Sequence, residues 1–166
     1  MKVNIALLTV TDTRTFDNDK SGAILVEKIK SANHNLIDRK ICKDNKDDIV
    51  QVLKEWIKKD NIDVVITTGG TGLTGRDITP EAIDQIADKQ IPGFGELFRN
   101  LSLKTVGTSA IQSRACAVLA NGKYVFALPG SSGGVTDAWE GILKHQLDVN
   151  HKPCNFVELF PRLKEK

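Results

Sequence analysis

The sequence predicts a three-layer α/β/α sandwich with a mostly parallel, mixed sheet, in a single domain that spans residues 1–166. Two observations support this prediction. Short apolar runs, typical of strands that are buried on both faces, alternate along the chain with segments of helical periodicity. In addition, the pair Asn121-Gly122 separates two apolar runs. An Asn-Gly pair in that position predicts an antiparallel hairpin, so the sheet should be mixed.

The composition fits one globular domain. The 166 residues are 40% hydrophobic and 27% charged, which leaves enough apolar surface for a core. A formal net charge of +2 gives no reason to expect nucleic-acid or membrane binding. Because the sequence shows no signal-peptide pattern and no apolar run near ~20 residues, we expect a cytoplasmic protein. Three widely spaced cysteines argue against a disulfide framework and predict buried thiols: Cys42, Cys116 and Cys154.

The first part of the chain predicts two β-α units. Residues 3–10 form an uncharged, β-branched run that is typical of a central strand. A polar loop follows, and then a helix for which Ser21 is the predicted N-cap. Residues 36–42 predict a weaker second strand. The next helix has the clearest apolar stripe in the chain, formed by Ile49, Val52, Leu53, Trp56 and Ile57.

The second part continues the alternation. Residues 64–66 predict another buried strand, and a glycine-rich loop and a helix come after it. Thr79 is placed to cap that helix, and Pro80 suits its first turn. After the Asn-Gly hairpin comes a last amphipathic helix. The tail, residues 151–166, is predicted to be irregular, and its expected anchors to the core are Phe156, Leu159 and Phe160.

The topology predicts a ligand site before any motif is considered. In open α/β sheets, ligands bind beyond the carboxyl ends of the strands. Polar or glycine-rich loops follow three of the predicted strands, after Val10, after Ile66 and after Leu128. Asp44 follows the second predicted strand and joins this group. These loops should therefore lie together and form the site.

The glycine-rich loop matches two nucleotide-binding motifs by its letters only. Gly70-x-Gly72-x-x-Gly75 has the dinucleotide spacing, but the next helix begins too late and no acidic strand end lies ~20 residues on. A P-loop would need lysine and Ser/Thr where Arg76 and Asp77 stand. The glycines can still direct backbone N–H groups at an anion. A carboxylate after such a loop could hold Mg²⁺ beside substrate phosphates.

Several candidate residues keep a second interpretation at this point. Asp44 stands just before a helix, where aspartate is usually a cap. The stretch Pro129-Gly130-Ser131 can be a plain turn, although its place after an apolar strand favours a ligand contact. Asp77 is harder to explain as a cap, because it lies outside the predicted cap position. Arg76 and Arg114 can be anion contacts or solvated charges.

With these residues the chain resembles the MoaB/Mog family of molybdopterin-binding proteins. The resemblance rests on three stretches, TTGGTG at residues 67–72, RDITPEA at residues 76–82 and PGFGE at residues 92–96. It extends over nearly the whole chain. Residues 107–115 and 153–156 are more similar to the MoaB branch than to the Mog branch.

The resemblance implies an enzyme of molybdenum cofactor biosynthesis that adenylylates molybdopterin with Mg²⁺-ATP and releases pyrophosphate. Asp44 and Asp77 match two family aspartates that are needed for the transfer, and they would hold the Mg²⁺. The implied substrate contacts are Asp12, Ser21, Thr68, Gly69, Gly70, Thr71, Gly72, Ser109, Pro129, Gly130 and Ser131. A non-catalytic paralogue that binds or delivers molybdopterin remains the alternative.

The resemblance also implies partners. The family forms homotrimers, and its MoaB branch often forms homohexamers, so self-association is expected for this chain. A molybdate-insertion enzyme is the candidate partner that would use the adenylylated product.

Overall fold

One mixed sheet of six strands forms the centre of the computed structural model, which describes residues 1–165. The strands are β1 (Asn4–Val10), β2 (Asn35–Cys42), β3 (Val64–Thr68), β4 (Lys89–Gln90), β5 (Cys116–Ala120) and β6 (Lys123–Leu128). Their order across the sheet is β2-β1-β3-β6-β5-β4. The neighbours from β2 to β6 are parallel, whereas β5 is antiparallel to both β6 and β4. The predicted mostly parallel, mixed sheet is thus confirmed.

Helices cover both faces of this sheet. They are α1 (Lys20–Ser31), α2 (Lys46–Ile57), α3 (Thr79–Asp84), α4 (Pro92–Val106), α5 (Ser132–Ala138) and α6 (Lys144–Gln146). A π-helical segment, Trp139–Leu143, joins α5 to α6, and two 3-10 helices cover Gly107–Gln112 and Val157–Arg162. Apolar residues of α1, α4 and α5 form a core with one face of the sheet, and those of α2 and α3 form a second core with the other face. This gives the expected three layers.

Strand β1 explains why two cores form. Its side chains alternate, so that Ile5 and Leu7 face the α1 side while Ala6 and Leu8 face the α2 side. All four are fully buried. Since full burial of a Leu or Ile side chain stabilises a fold by roughly 1.5–3 kcal/mol, an uncharged strand of this kind is stable only between two helical layers.

The hairpin between β5 and β6 follows the sequence prediction. Asn121 and Gly122 have φ values of 49° and 72°. Positive φ at both central residues is the requirement of the tight hairpin turn that an Asn-Gly pair favours. Ala120 pairs with Lys123 directly across this turn.

The predicted start of α1 is wrong, and the capping role considered for Asp44 is excluded. Helix α1 is capped by Asp19, whose carboxylate accepts from the Gly22 N–H at 3.0 Å, so Ser21 lies inside the helix. Helix α2 is capped by Asn45, whose side-chain oxygen accepts from two backbone N–H groups of the first turn. The Asp44 side chain is therefore not needed by the helix.

The predicted cap of α3 is also wrong. Ile78 occupies the cap position and makes no side-chain hydrogen bond there. The Thr79 hydroxyl donates instead to the Gly69 carbonyl oxygen at 2.8 Å. Pro80 does lie in the first turn, as predicted. Thr79 thus serves the glycine-rich loop rather than the helix.

The tail is held to the core by two of its three predicted anchors. The rings of Phe156 and Phe160 lie 4.5 Å and 5.7 Å from the ring of Tyr124, between centroids. Leu159 is 44% exposed, so its prediction as an anchor is wrong.

Every helix among residues 1–165 is too short or too polar to span a bilayer.

The cysteines are free thiols. Cys42 and Cys116 are half-buried, and burial raises the pKa of Cys42 to about 12 and that of Cys116 to about 11. Cys154 is exposed, so the prediction of three buried thiols is wrong for this residue.

Candidate functional site

Four loops meet at one edge of the sheet, at the place that the topology predicts. They follow the carboxyl ends of β1, β2, β3 and β6. Thr9 lies opposite Thr68, and Thr68 lies opposite Leu128, so three strands end at the same level. A cavity of about 480 Å³ opens between the loops after β1, β3 and β6. Its walls are formed by Arg14, Gly70, Thr71, Gly72, Asp77, Gln112, Ser113, Pro129, Gly130 and Ser131.

The loop after β3, residues 69–78, is called the glycine loop here. Gly69 has a φ of 101°, and a Cβ atom at this position would lie 2.3 Å from the Val10 carbonyl oxygen. Gly70 has a φ of 69°, and its Cβ would lie 2.4 Å from Thr79 Oγ1. Both positions therefore require glycine. A Cβ at Gly130 would lie 3.3 Å from Gly69 Cα, which shows how closely the loops after β3 and β6 approach.

The two loops are tied together by a threonine that was predicted to contact substrate. Thr68 Oγ1 donates to the Pro129 carbonyl oxygen at 2.7 Å, and Thr68 is fully buried. The hydroxyl of Thr68 is thus engaged within the protein and does not line the cavity. Thr71, by contrast, does line it.

Asp77 lies against the glycine loop. Its Oδ2 atom accepts from the Thr74 N–H at 2.9 Å and from Thr74 Oγ1 at 2.7 Å. A Cβ at Gly72 would lie 2.7 Å from the same oxygen. Burial raises the pKa of Asp77, but the hydrogen bonds from Thr74 and Gly72 outweigh burial, so that the pKa lies below its ordinary value. Asp77 is therefore an ionised wall residue of the cavity.

Asp44 has the opposite electrostatic character. Its carboxylate lies beside Gly70, where a Cβ would be 3.3 Å from Oδ1. Burial raises the pKa of Asp44, and the negative charges of Asp12 and Asp77 raise it further, against a smaller opposing effect of Arg76. A nearby cation stabilises the ionised form of a carboxylate in such surroundings.

The carboxylates at this edge fit a magnesium ion only in part. Asp44 and Asp77 offer hard oxygen ligands of the kind that Mg²⁺ prefers. Within residues 1–165, no three His, Cys, Asp or Glu side chains converge closely enough to hold a metal by themselves. The residues therefore fit Mg²⁺ that arrives with substrate phosphates and keeps several water ligands.

Asp12 connects three loops. Its Oδ2 atom pairs with Arg76 of the glycine loop, and its Oδ1 atom accepts from the Asp44 N–H at 3.2 Å. The Asp12 carboxylate is thus engaged by protein groups and is not part of the cavity wall. The same contact shows that Arg76 is paired with a carboxylate. The sequence alone allowed either an anion contact or a solvated charge for this residue.

Arg114 holds the glycine loop in place. Its Nε atom donates to the Gly72 carbonyl oxygen at 2.7 Å, and its Nη2 atom donates to the Asp77 carbonyl oxygen at 2.7 Å. The guanidinium also pairs with Glu81. The backbone N–H of Arg114 donates to the Thr71 carbonyl oxygen at 2.9 Å. Arg114 therefore acts on the site by positioning the loop.

Ser21 lies behind the cavity. It is 1% exposed, and its hydroxyl donates to Asp19 Oδ1 at 3.3 Å while it accepts from Arg14 Nη1 at 3.2 Å. Asp19 is itself buried and accepts from Thr9 at 2.6 Å and from Arg39 at 3.0 Å. Ser21 can thus influence a ligand only through Arg14.

The buried Asp19 should make stability depend on pH. Burial raises its pKa, but hydrogen bonds from Thr9, Gly22 and Arg39 outweigh burial and lower it. A depressed pKa in the folded state means that the stabilisation is complete above the unfolded value of ~3.9 and is lost as the pH falls through the folded value. We expect Asp19→Asn to destabilise the fold by about 3 kcal/mol at pH 7, because it leaves Arg39 uncompensated.

Urea denaturation of the wild type and of Asp19→Asn between pH 3 and pH 7 checks this expectation. The stability difference should be constant at neutral pH and shrink below pH ~4. A difference that grows as the pH falls would contradict the assignment. Asp17, an exposed aspartate in the same loop, provides the control variant Asp17→Asn.

A second cavity of about 380 Å³ adjoins the first and shares Ser113, Pro129 and Ser131 with it. It lies between α4, the 3-10 helix Gly107–Gln112 and α5. Ser109, which was predicted as a substrate contact, lines this second cavity and not the first.

Three wall residues of the first cavity were not predicted as contacts. Arg14 lies in a polar loop with no motif of its own. Gln112 and Ser113 come from the end of a 3-10 helix whose sequence has no clear periodicity. Both lie within residues 107–115, and the similarity of that stretch to the MoaB branch was the signal that could have found them.

Comparisons with known proteins give a consistent set of relatives. A family model described as "Probable molybdopterin binding domain" matches residues 6–149. Molybdenum cofactor biosynthesis protein B of Escherichia coli (strain K12) is 44% identical over 161 residues, which are 97% of this chain and 93% of that protein. The protein of the same name from Staphylococcus aureus (strain MRSA252) is 46% identical over 149 residues, 88% of each chain.

Solved structures give the same result. A crystal structure of molybdenum cofactor biosynthesis protein B superposes with a TM-score of 0.89 at 40% identity, covering 100% of this chain and 98% of that one. The tungsten cofactor synthesizing protein MoaB from Pyrococcus furiosus superposes with a TM-score of 0.78 at 37% identity, covering 87% and 92%. Since the family model and these relatives span most of the chain, this protein belongs to the MoaB/Mog family of molybdopterin-binding proteins.

Proposed function

We propose that this protein acts in molybdenum cofactor biosynthesis, where it binds molybdopterin and adenylylates it with Mg²⁺-ATP. The observation that carries the proposal is the pair of carboxylates beside the glycine loop. Asp44 lies beside Gly70 and Asp77 beside Gly72, and neither carboxylate caps a helix. The names of the relatives support the pathway, and the arrangement of the loop supports phosphate chemistry.

The proposed reaction transfers the adenylyl group of ATP to the phosphate of molybdopterin. A phosphate oxygen of molybdopterin attacks the α-phosphorus of ATP, a new P–O–P bond forms, and the bond from the α-phosphorus to the bridging oxygen breaks. Pyrophosphate leaves with the electron pair of that bond. No side-chain nucleophile is required, so the task of the protein is to align two anions and to stabilise the charge that develops.

The chain has groups for each part of that task. Backbone N–H groups of the glycine loop can bind phosphate oxygens, because its glycines let the backbone approach closely. Asp44 and Asp77 would hold Mg²⁺, which supplies positive charge to the phosphates of ATP. Arg114 keeps the glycine loop in its conformation through the carbonyl groups of Gly72 and Asp77.

A second candidate function is binding and delivery of molybdopterin without transfer. One observation favours it. The Asp77 Oδ2 atom already accepts two hydrogen bonds from Thr74, and a metal ligand would have to share this oxygen or use the other one. In that case the cavity would bind the pterin, and ATP would not be consumed.

One experiment separates the two functions. The protein is incubated with molybdopterin, ATP and Mg²⁺, and adenylyl-molybdopterin and pyrophosphate are measured by chromatography. Equal amounts of both products support the transferase. Tight binding of molybdopterin with neither product would support the delivery function and overturn the transferase.

We also propose that copies of the chain associate through α4 and the 3-10 helix that follows it. Three apolar side chains are exposed on this face, Leu103 at 53%, Val106 at 54% and Ile111 at 82%. Clusters of exposed apolar residues are typical of protein interfaces. The resemblance to the family favours a trimer or a hexamer.

Replacing Ile111 with aspartate should dissociate such an assembly into monomers, because a charge would then be buried at the interface. The molar mass is measured by light scattering after size-exclusion chromatography. Leu159→Asp, at an exposed apolar residue of the tail, is the matched control and should keep the wild-type mass. An unchanged mass for Ile111→Asp would exclude this face as the interface.

A further inference from the structure

Arg14 is a wall residue of the first cavity that the proposed reaction has not used. It lies in the loop after β1 and lines the cavity together with the glycine loop, and its backbone N–H donates to Thr11 Oγ1 at 3.3 Å. Its side chain is held from two sides. Nη1 donates to the Gly130 carbonyl oxygen at 3.0 Å and to Ser21 Oγ at 3.2 Å.

The support behind Arg14 reaches into the core. Ser21 is buried and donates to Asp19, which is buried as well. Asp19 is in turn held by the hydroxyl of Thr9, at the end of β1, at 2.6 Å. The guanidinium is therefore attached through a short chain of hydrogen bonds to the central sheet. Such support reduces the entropy lost when an arginine binds a ligand.

The charge of Arg14 is not neutralised by the protein. Within residues 1–165, no carboxylate forms an ion pair with it, and the two groups that accept from Nη1 are a carbonyl and a hydroxyl. Two other arginines near the cavity differ in this respect, since Arg76 of the glycine loop pairs with Asp12, and Arg114, which holds that loop, pairs with Glu81. Arg14 thus brings positive charge to the cavity.

We infer that Arg14 binds a phosphate group of the ligand in the cavity that it shares with the glycine loop, and that Ser21 is its positioning residue. Its Nε and Nη2 atoms remain free of the contacts that hold Nη1, and arginine uses such a pair of donors to bind two oxygens of one phosphate. This inference rests on the proposed use of the cavity by phosphorylated substrates. The phosphate can belong to molybdopterin or to the nucleotide.

The test compares the wild type with Arg14→Gln in ligand titrations of the full chain. Four ligands are used: molybdopterin, dephosphorylated molybdopterin, a non-hydrolysable ATP analogue with Mg²⁺, and inorganic pyrophosphate. We expect Arg14→Gln to weaken binding of at least one phosphate-bearing ligand by roughly 10- to 100-fold, the effect typical of hydrogen bonds to charged groups. Binding of dephosphorylated molybdopterin should be unchanged. The ligand that loses affinity identifies the source of the phosphate.

Three variants sharpen the result. Arg14→Lys should recover part of the affinity, because it restores the charge without the paired donors. Ser21→Ala should weaken phosphate binding when it is the only substitution. The same change should have little further effect when it is added to Arg14→Gln. Arg162→Gln, at an exposed arginine of the tail, is the control and should bind as the wild type does. Thermal unfolding verifies that each variant is folded.

The outcomes separate this inference from the proposed function. If the wild type binds pyrophosphate in an Arg14-dependent manner but binds neither molybdopterin nor ATP, the inference stands and the proposed function falls. If Arg14→Gln binds every phosphate-bearing ligand as tightly as the wild type, the inference is overturned while the proposed function is unaffected. A wild type that binds no phosphate-bearing ligand would overturn both.

Discussion

Replacing Asp44 or Asp77 with asparagine should reduce adenylyl transfer by at least about 10²-fold, a loss typical of removing one electrostatic contact to a transition state. Molybdopterin binding should be nearly unchanged. The reason is that each substitution removes one negative charge beside the glycine loop but keeps the size and one oxygen of the side chain. In Asp77→Asn that oxygen can still accept from Thr74, so the loop should keep its conformation.

The measurement is single-turnover formation of adenylyl-molybdopterin, together with a separate titration of molybdopterin. Asp47→Asn provides the matched control, since Asp47 is an exposed aspartate in the first turn of α2. Wild-type turnover by Asp44→Asn would rule out a role in catalysis. An equal loss of turnover and of pterin binding would show that the carboxylates shape the site and do not act on the reaction.

The raised pKa of Asp44 adds a test by pH. Burial and the neighbouring carboxylates raise the pKa of Asp44 above the ordinary ~3.9 of an aspartate. If ionised Asp44 is needed, kcat/KM, which reports the free enzyme, should rise with pH through this raised pKa. The residual activity of Asp44→Asn should lack that rise, and an identical pH profile in both proteins would contradict the assignment.

Replacing Gly69 with alanine should destabilise the fold strongly. The new Cβ would lie 2.3 Å from the Val10 carbonyl oxygen, and the φ of 101° is strained for any residue with a side chain. We expect a loss of about 3 kcal/mol. For a chain of this length this corresponds to a fall of roughly 6–12 °C in melting temperature.

The contact involves backbone on both sides, so it cannot be relieved by a change of rotamer. Because Gly69 also approaches Gly130, the shift should disturb both loops and weaken ligand binding. Gly75→Ala is the matched control in the same loop, since a Cβ there would meet nothing within 4 Å. Calorimetry and ligand titration of both variants check the expectation. Equal melting temperatures for the two variants would show that the loop tolerates a side chain at Gly69.

The layers and the sheet were predictable because they depend on local patterns. An uncharged β-branched run such as β1 can be stable only when both of its faces are covered, and the stripe of α2 has the period of a helix. The Asn121-Gly122 pair meets the requirement of the hairpin turn, positive φ at both central residues, without any distant contact. The convergence of the loops at the candidate site was predictable for the same reason, since the alternation of strands and helices puts the carboxyl ends of parallel strands at one edge.

Helix starts were less predictable, because several polar residues stand close together before each helix. Asp19 and Ser21 are both good caps by residue type, and Asp44 and Asn45 are neighbours. The choice between them follows from the loops: Asp19 is drawn inward by Thr9 and Arg39, whereas the backbone N–H of Asp44 donates to Asp12 and its carboxylate lies beside Gly70. None of these partners is local in sequence.

The sequence by itself determined the architecture, the edge at which the site lies and the glycines at positions 69 and 70 that let the backbone approach. Only the tertiary structure decided which polar side chains face the cavity. It placed the hydroxyls of Ser21 and Thr68 behind the wall and brought Arg14 onto it. The physical reason is that a hydroxyl or a guanidinium takes its role from the acceptors near it in space. Thr68 and Arg14 find theirs at Pro129 and Gly130, on a loop that is distant in sequence, and Ser21 donates to an aspartate that the core has drawn inward.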